Sequence, residues 1–160
     1  MVRLVPWSTE DFWLLERCNT PEMTAYLGGP ETAEQLASRH DRYVANAYPG
    51  QMYTIRTLEG ETAGSIGYWE HTKADESVWE TGWAILPEHQ GKGLATAAIA
   101  EVAKVAAASG THSTLHAYPG VDNAASNALC RKAGFTLLQA REFEYPKGHW
   151  MQCNDWVLEL

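Results

Sequence analysis

The segment Pro87-Glu88-His89-Gln90-Gly91-Lys92-Gly93-Leu94-Ala95-Thr96 constrains this chain more than any other. Before it, residues 78–86 are rich in Trp and aliphatic side chains and read as a strand. After it, Leu94, Ala98, Val102 and Val105 recur at helical spacing and predict a helix over 92–108. Glycines between a strand and a helix let the backbone take positive φ and approach a ligand closely. The free N–H groups of the helix start, reinforced by the helix dipole, then suit an anion such as phosphate. Two well-known phosphate loops are excluded. A Walker loop needs G-x-x-x-x-G-K-[ST], whereas Leu94 and Ala95 follow Gly93. A dinucleotide fingerprint begun at Gly91 would need a glycine where Thr96 stands, and it would not follow antiparallel strands. From its residues alone the segment is either a phosphate cradle of unspecified ligand or a plain tight turn.

The remaining pattern reads β-α-α-β-β-β-α-β-α-β-β. Residues 2–6 alternate into a first strand. Ser8, with Asp11 three residues on, opens a helix whose apolar side is Phe12, Leu14 and Leu15. Gly28-Gly29-Pro30 is a break, and a polar helix near 32–47 stops at Pro49-Gly50. Residues 51–58 and 62–70 read as antiparallel strands around Glu59-Gly60, with a polar loop expected at 71–77. Gly110 ends the long helix, and a strand follows at 112–118. Asp122 or Asn123 caps a short helix ending at Gly134. Strands at 135–145 and 149–158 join at Pro146-Lys147-Gly148. This order predicts a single α/β (α+β) domain over 1–160, with a mixed, largely antiparallel sheet and helices on both faces.

Charge narrows the partners. Acidic residues outnumber basic ones 20 to 12, for a net charge of −8, so the basic footprint of a nucleic-acid binder is missing. The acidity suits a cationic or amine partner better. Cys18, Cys130 and Cys153 are odd in number and widely separated, which argues against a disulfide framework or a Cys-based zinc site. The histidines at 40, 71, 89, 112, 116 and 149 show no H-x-x-x-H spacing, so no metal is expected. Glu10 and Asp11 follow Met1–Trp7 closely, and no run approaches 18 apolar residues. The expectation is a cytoplasmic protein that does not engage a membrane.

Three motifs in order carry a family resemblance. Gln90-Gly91-Lys92-Gly93-Leu94-Ala95 is similar to the Q/R-x-x-G-x-G/A turn of the GCN5-related N-acetyltransferase (GNAT) superfamily. Asn123-Ala124-Ala125-Ser126-Asn127, with Lys132-Ala133-Gly134-Phe135, resembles its N-x-x-S and K-x-G-F helix. Glu80-Thr81-Gly82-Trp83 resembles its fourth strand. Arg3-Leu4-Val5-Pro6 and Tyr26-Leu27-Gly28-Gly29-Pro30 resemble the RimJ/RimL branch, which acetylates ribosomal-protein N-termini and small amines.

The resemblance implies a seven-stranded GNAT fold with a V-shaped cleft between the fourth and fifth strands. It implies acetyl-CoA as cosubstrate and direct transfer of the acetyl group to a primary amine, on a protein N-terminus or a small molecule. The cofactor-binding residues it implies are Trp83, Ala84, Ile85 and Leu86 for pantetheine, and Gln90, Gly91, Lys92, Gly93, Leu94, Ala95 and Thr96 for pyrophosphate. Asn123 and Ser126 complete the set. Glu80 and Glu144 are the candidate bases, the latter through Glu144-Tyr145. Many members place an acidic Tyr where this chain has Cys130, so Ser126 inherits the place facing sulfur. By residue type Asn123 reads equally as an N-cap, and each glutamate as a solvated strand residue. A homodimer is compatible with the family. The competing reading is a non-catalytic acyl-CoA-binding sensor.

Other residues are assigned by position. His116 and Tyr118 end the fifth strand and border the cleft. Trp69, Trp79, Trp83, Trp150 and Trp156 read mainly as strand core, although Trp69 or Trp150 would suit an ammonium by cation–π contact worth about 0.5–2 kcal/mol. Arg39, His40, Arg42 and Tyr43 on the 32–47 helix flank the expected acceptor opening or form a solvated face.

Overall fold

The computed structural model describes residues 1–73, 75–144 and 147–160. Strands β1 (Val2–Pro6), β2 (Gly50–Thr57), β3 (Thr62–Lys73), β4 (Glu76–Ile85), β5 (Thr114–Ala117), β6 (Thr136–Glu144) and β7 (Trp150–Glu159) form one sheet. Its order is β1-β2-β3-β4-β5-β7-β6. Among the described residues, only β4 and β5 pair in parallel. The helices are α1 (Phe12–Cys18), α2 (Ala33–Ala45), α3 (Leu94–Ser109) and α4 (Ala124–Lys132).

Strand alternation divides the apolar residues between two faces. On one face Ile55, Ile66, Trp79 and Leu115 meet Leu94, Ala98, Ile99, Val102 and Ala106 of α3 and Cys130 of α4. The alanines of α3 let it lie close on the sheet. On the opposite face Met52 joins Trp7, Leu14 and Leu86, with Leu15 and Tyr43 beside them. The fold class is therefore the expected one, a seven-stranded mixed sheet with helices on both sides. No helix among the described residues is long and apolar enough to cross a membrane.

Local chemistry explains the boundaries. Ser8 and Asp11 form the expected capping box, but the first turn is a 3-10 turn (Thr9–Asp11) before α1 begins. Thr32 and Gln35 form a second box at α2, which ends at Asn46 with φ 47°. The polar loop expected at 71–77 is a correction. His71 pairs with Val78 and Thr72 with Ser77, so β3 and β4 run on into a hairpin. Polarity misled there because the end of an antiparallel hairpin can face water on both sides. The strand expected at 112–118 shrinks to Thr114–Ala117. Tyr145 and Pro146, within the expected final strand and turn, lie outside the described residues.

Backbone packing between β3 and β4 is close enough to demand glycine. A Cβ at Gly64 would land on the Ala84 carbonyl oxygen, a backbone atom with no freedom to swing away. Gly64→Ala should therefore lower stability by at least about 2 kcal/mol, as overpacking does in tight interiors. The urea midpoint of the variant against the parent measures it.

Candidate active site

The site begins where two strands part. β4 and β5 pair only at Trp79 with Leu115 and at Glu80 with His116. β4 then continues to Ile85, while β5 ends at Ala117. Alternation along β4 decides which backbone groups face the resulting gap. The Leu86 N–H donates to Ala63 O on β3, at 2.8 Å. In an antiparallel ladder the same side is then used by Ala84 and Gly82, leaving Thr81, Trp83 and Ile85 directed toward the gap. Within the expected contact run Trp83–Leu86, Trp83 and Ile85 direct their backbone groups to the gap, whereas Ala84 and Leu86 turn theirs to β3. The Ile85 carbonyl accepts from Gln90 Nε2 at 2.9 Å, which ties the glycine turn to the strand end.

The turn itself is open. Gly91 and Gly93 have φ of 74° and 78°, and a Cβ on either would meet nothing within 4 Å. Gly93 is the N-cap of α3, and no side chain caps that helix. The first-turn N–H groups of α3 are thus left without a side-chain acceptor. Thr96 Oγ1 is buried there without a partner. Lys92 is exposed beside the turn, whereas the Leu94 side chain belongs to the core. Gln90 is engaged internally at its side chain and also through its N–H, which donates to Pro87 O at 3.2 Å. The open cradle therefore runs from Gly91 to Thr96.

Glu80 sits at the vertex of the gap. Its side chain is 14% exposed and lies 3.5 Å, Oε1 to Nδ1, from His71. Burial pushes its carboxyl up to about 7, with a Trp69 hydrogen bond pulling the other way. The Trp69 ring lies over Gly82, where a Cβ would come within 2.9 Å of it. His71 stacks on Phe143 at 5.4 Å and tilts against Tyr118 at 5.2 Å. Tyr118 also stacks on Phe143 and on His116. Its hydroxyl is buried without a hydrogen-bond partner. Burial, and then the Asp155 and Glu80 carboxylates, hold that hydroxyl well above its ordinary pKa. His116 Nδ1 is 2.7 Å from Asp155 Oδ1, and Arg141 lies 3.9 Å from the other oxygen of the same carboxylate.

The other candidates separate. Glu144 is exposed at the end of β6 and accepts the Gly148 N–H at 3.0 Å. Asn123 is the N-cap of α4, its Oδ1 accepting from the Ser126 N–H at 3.2 Å. Ser126 is half-buried on the first turn of that helix. Cys130 is fully buried, and burial raises its thiol to about 12. Trp79 and Trp156 are core, Trp83 packs against it, and Trp150 is 62% exposed. Of the α2 residues, Arg39 pairs with Glu31, His40 accepts from Trp7 Nε1, and Tyr43 packs edge-on against Trp7. Arg42 donates to Ser38. These contacts hold α2 in place.

Residue type alone had not singled out Asn127, Asp155, Arg141 or Phe143. Asn127 uses its whole amide, donating to Gly120 O and Asn123 O and accepting from Asn154 Nδ2 and Trp156 Nε1. It pins α4 to β7. Asp155 carried a readable signal, because it falls in the inward register of its strand between Cys153 and Val157. Among the described residues no group of three or more His, Cys, Asp or Glu is placed to hold a metal ion.

Residues 2–136 match the acetyltransferase (GNAT) domain family. The chain belongs to the GNAT acetyltransferases. Solved structures agree in fold. An acetyltransferase from Salmonella typhimurium that modifies the N-terminal serine of ribosomal protein L7/L12 superposes with TM-score 0.79 at 19% identity, covering 99% of this chain and 95% of that one. Spermidine N-acetyltransferase from Vibrio cholerae, in complex with CoA and spermine, gives 0.79 at 16% identity with the same coverages. An aminoglycoside acetyltransferase in complex with coenzyme A gives 0.78 at 18% identity, also covering 99% and 95%. No curated protein matches the sequence significantly.

The raised Glu80 carboxyl of this GNAT domain has a stability consequence. Between its ordinary value of 4.5 and about 7, the folded state holds a proton that the unfolded chain has lost. Stability must then fall as pH rises through that window, by at most about 3 kcal/mol at ~1.4 kcal/mol per unit. Glu80→Gln removes this component. Denaturant melts of both proteins across the window should show the parent losing stability relative to the variant.

Proposed function

We propose that residues 1–160 form one acetyltransferase domain of the RimJ/RimL type that moves an acetyl group from acetyl-CoA to a primary amine. The observation that carries this reading is the buried Glu80 carboxyl, held near neutrality at the vertex of the β4–β5 gap. A base is most useful when its pKa lies near working pH. Bound acetyl-CoA would supply the activated acyl group as a thioester.

The chain's own residues divide the remaining work. N–H groups from Gly91 to Thr96 would receive the pyrophosphate, with Lys92 adding charge and the Thr96 hydroxyl finding an acceptor. The backbone groups of Thr81, Trp83 and Ile85 would pair with the pantetheine amides. One of these N–H groups would also face the thioester oxygen and stabilise the charge that develops on it. Glu80 takes a proton from the incoming ammonium, with Trp69 beside it as an aromatic contact for the cation. Asn123 serves α4 as its cap, which leaves the Ser126 hydroxyl available as the donor to the departing sulfur. Glu144 has no part in this assignment, because its carboxylate is exposed and holds the hairpin.

The acceptor test is release of free CoA from acetyl-CoA across a panel holding spermidine, an aminoglycoside and a peptide with an N-terminal serine. Release with one class is expected. No release with any amine, together with thermal stabilisation by acetyl-CoA, would mark a sensor instead. The base is tested separately. Glu80→Gln should cost roughly 10²-fold or more in kcat, the usual range for a positioned base, while Glu144→Gln stays near parental. Parental activity in Glu80→Gln sinks the assignment.

A further inference from the structure

A buried base has to be regenerated. Once Glu80 has taken a proton, its carboxyl must release that proton before the next ammonium arrives. We propose that His71 carries the proton from Glu80 to solvent, making the pair a relay and His71 a second catalytic residue; this rests on Glu80 being the base.

The geometry limits the choice. His71 Nδ1 lies 3.5 Å from Glu80 Oε1, and its side chain is the more exposed of the two, at 23% against 14%. Catalytic contacts of this length commonly tighten, or take one bridging water, when substrate binds. The ring is held in orientation by Phe143, which stacks on it, and by Tyr118, which meets it at a tilt and stacks on Phe143 in turn. The ionisable groups facing this pocket come from three further strands. On β5, His116 is bound to Asp155, and just past that strand the Tyr118 hydroxyl stays protonated well above neutrality. On β6, Arg141 sits over the Tyr118 ring and near Asp155. On β7, Asp155 is fully buried, and burial raises the Cys153 thiol. Among the described residues, His71 combines contact with Glu80, a ring that can take a proton at one nitrogen and give one from the other, and access to water.

The step balances without a further reactant. Glu80 Oε1 gains the ammonium proton and passes it to His71 Nδ1. The imidazolium yields a proton to water, and the neutral ring returns to the Nε2-protonated tautomer by exchange with solvent. Glu80 is again a carboxylate.

Two measurements test this. The first needs no acceptor. The His71 ring resonances of the full chain are followed by NMR through a pH titration, in the parent and in Glu80→Gln. Coupled groups titrate in macroscopic steps that belong to the pair. A two-step His71 titration that collapses to one step in Glu80→Gln is expected, and an identical titration in both proteins overturns the relay. His71 is retained throughout, so this test survives a poorly folding His71 variant. The second uses acetyl-CoA and the amine that releases CoA in the panel. His71→Ala should lose about 10²-fold in kcat, with KM for acetyl-CoA unchanged. Added imidazole should restore activity to His71→Ala but not to His71→Gln. Parental kcat in His71→Ala, or a loss that imidazole leaves untouched, assigns His71 a structural part and overturns the relay. If Glu80→Gln is inactive while His71→Ala is fully active, the relay alone falls. If Glu80→Gln is fully active, the base reading falls and takes the relay with it.

Discussion

Everything at the site depends on two strands that touch and then part. β4 and β5 share the pairs Trp79–Leu115 and Glu80–His116 and nothing beyond them. Unpaired backbone inside a protein is costly unless something supplies its hydrogen bonds. On the proposed reading, the backbone groups of Thr81 and Trp83 and the Ile85 N–H, which face the gap, would find these hydrogen bonds in the pantetheine amides. The same divergence leaves Glu80 at the narrow end, where the sheet closes and water is scarce. It also opens the mouth of the gap below the glycine turn, where α3 begins without a side-chain cap. One departure from pairing thus sets backbone donors, a buried carboxyl and an open helix N-terminus along a single line.

The net charge of −8 acquires a different meaning beside this geometry. A phosphate-bearing ligand is itself polyanionic, so the overall field opposes it. Binding must come from short-range donors, which is what the open N–H groups of the Gly91–Thr96 turn provide. On the proposed reading, the amine approaches the cluster of Trp69, His71, Glu80, Tyr118 and Phe143 on the face of the sheet away from α3. There a cationic amine would meet aromatic faces and a carboxyl that burial holds near neutrality. Glu80 need not attract the ammonium strongly. Its value on the proposed reading lies in being only partly ionised near neutrality.

The elements and their order were legible because their signals are local. The capping box at Ser8 and the glycine at 134 announce helix ends by residue type alone. The glycine turn was legible for the same reason. What failed was pairing. Nothing in residues 71–77 says that polar His71 and Thr72 lie opposite Val78 and Ser77, because polarity marks an exposed hairpin and a loop alike. Register also decided that Thr81 faces the gap and that Ala84 and Leu86 do not, and register is set by partners far away in sequence. The Asp155–His116 pair and the two bonds of Asn127 to β7 are long-range contacts of this kind. Glu80 was visible as a candidate, but its burial against Trp69 and His71 was not.

The fate of the departing sulfur shows how little a missing side chain need matter. Cys130 stands where a phenol is usual in related enzymes, and its thiol, raised to about 12 in the core, neither gives nor takes a proton near neutrality. A thiol of ordinary kind ionises near ~8.5, so a departing thiolate at neutral pH is only mildly basic. It requires a hydrogen bond more than a full proton. The N-terminus of α4 offers partial positive charge there, and Asn123 fixes its first turn by accepting the Ser126 N–H. The Ser126 hydroxyl rides on that turn and is not occupied by capping. On the proposed reading, Cys130 in the core takes no part, and the first turn of α4 meets the modest demand of the leaving group.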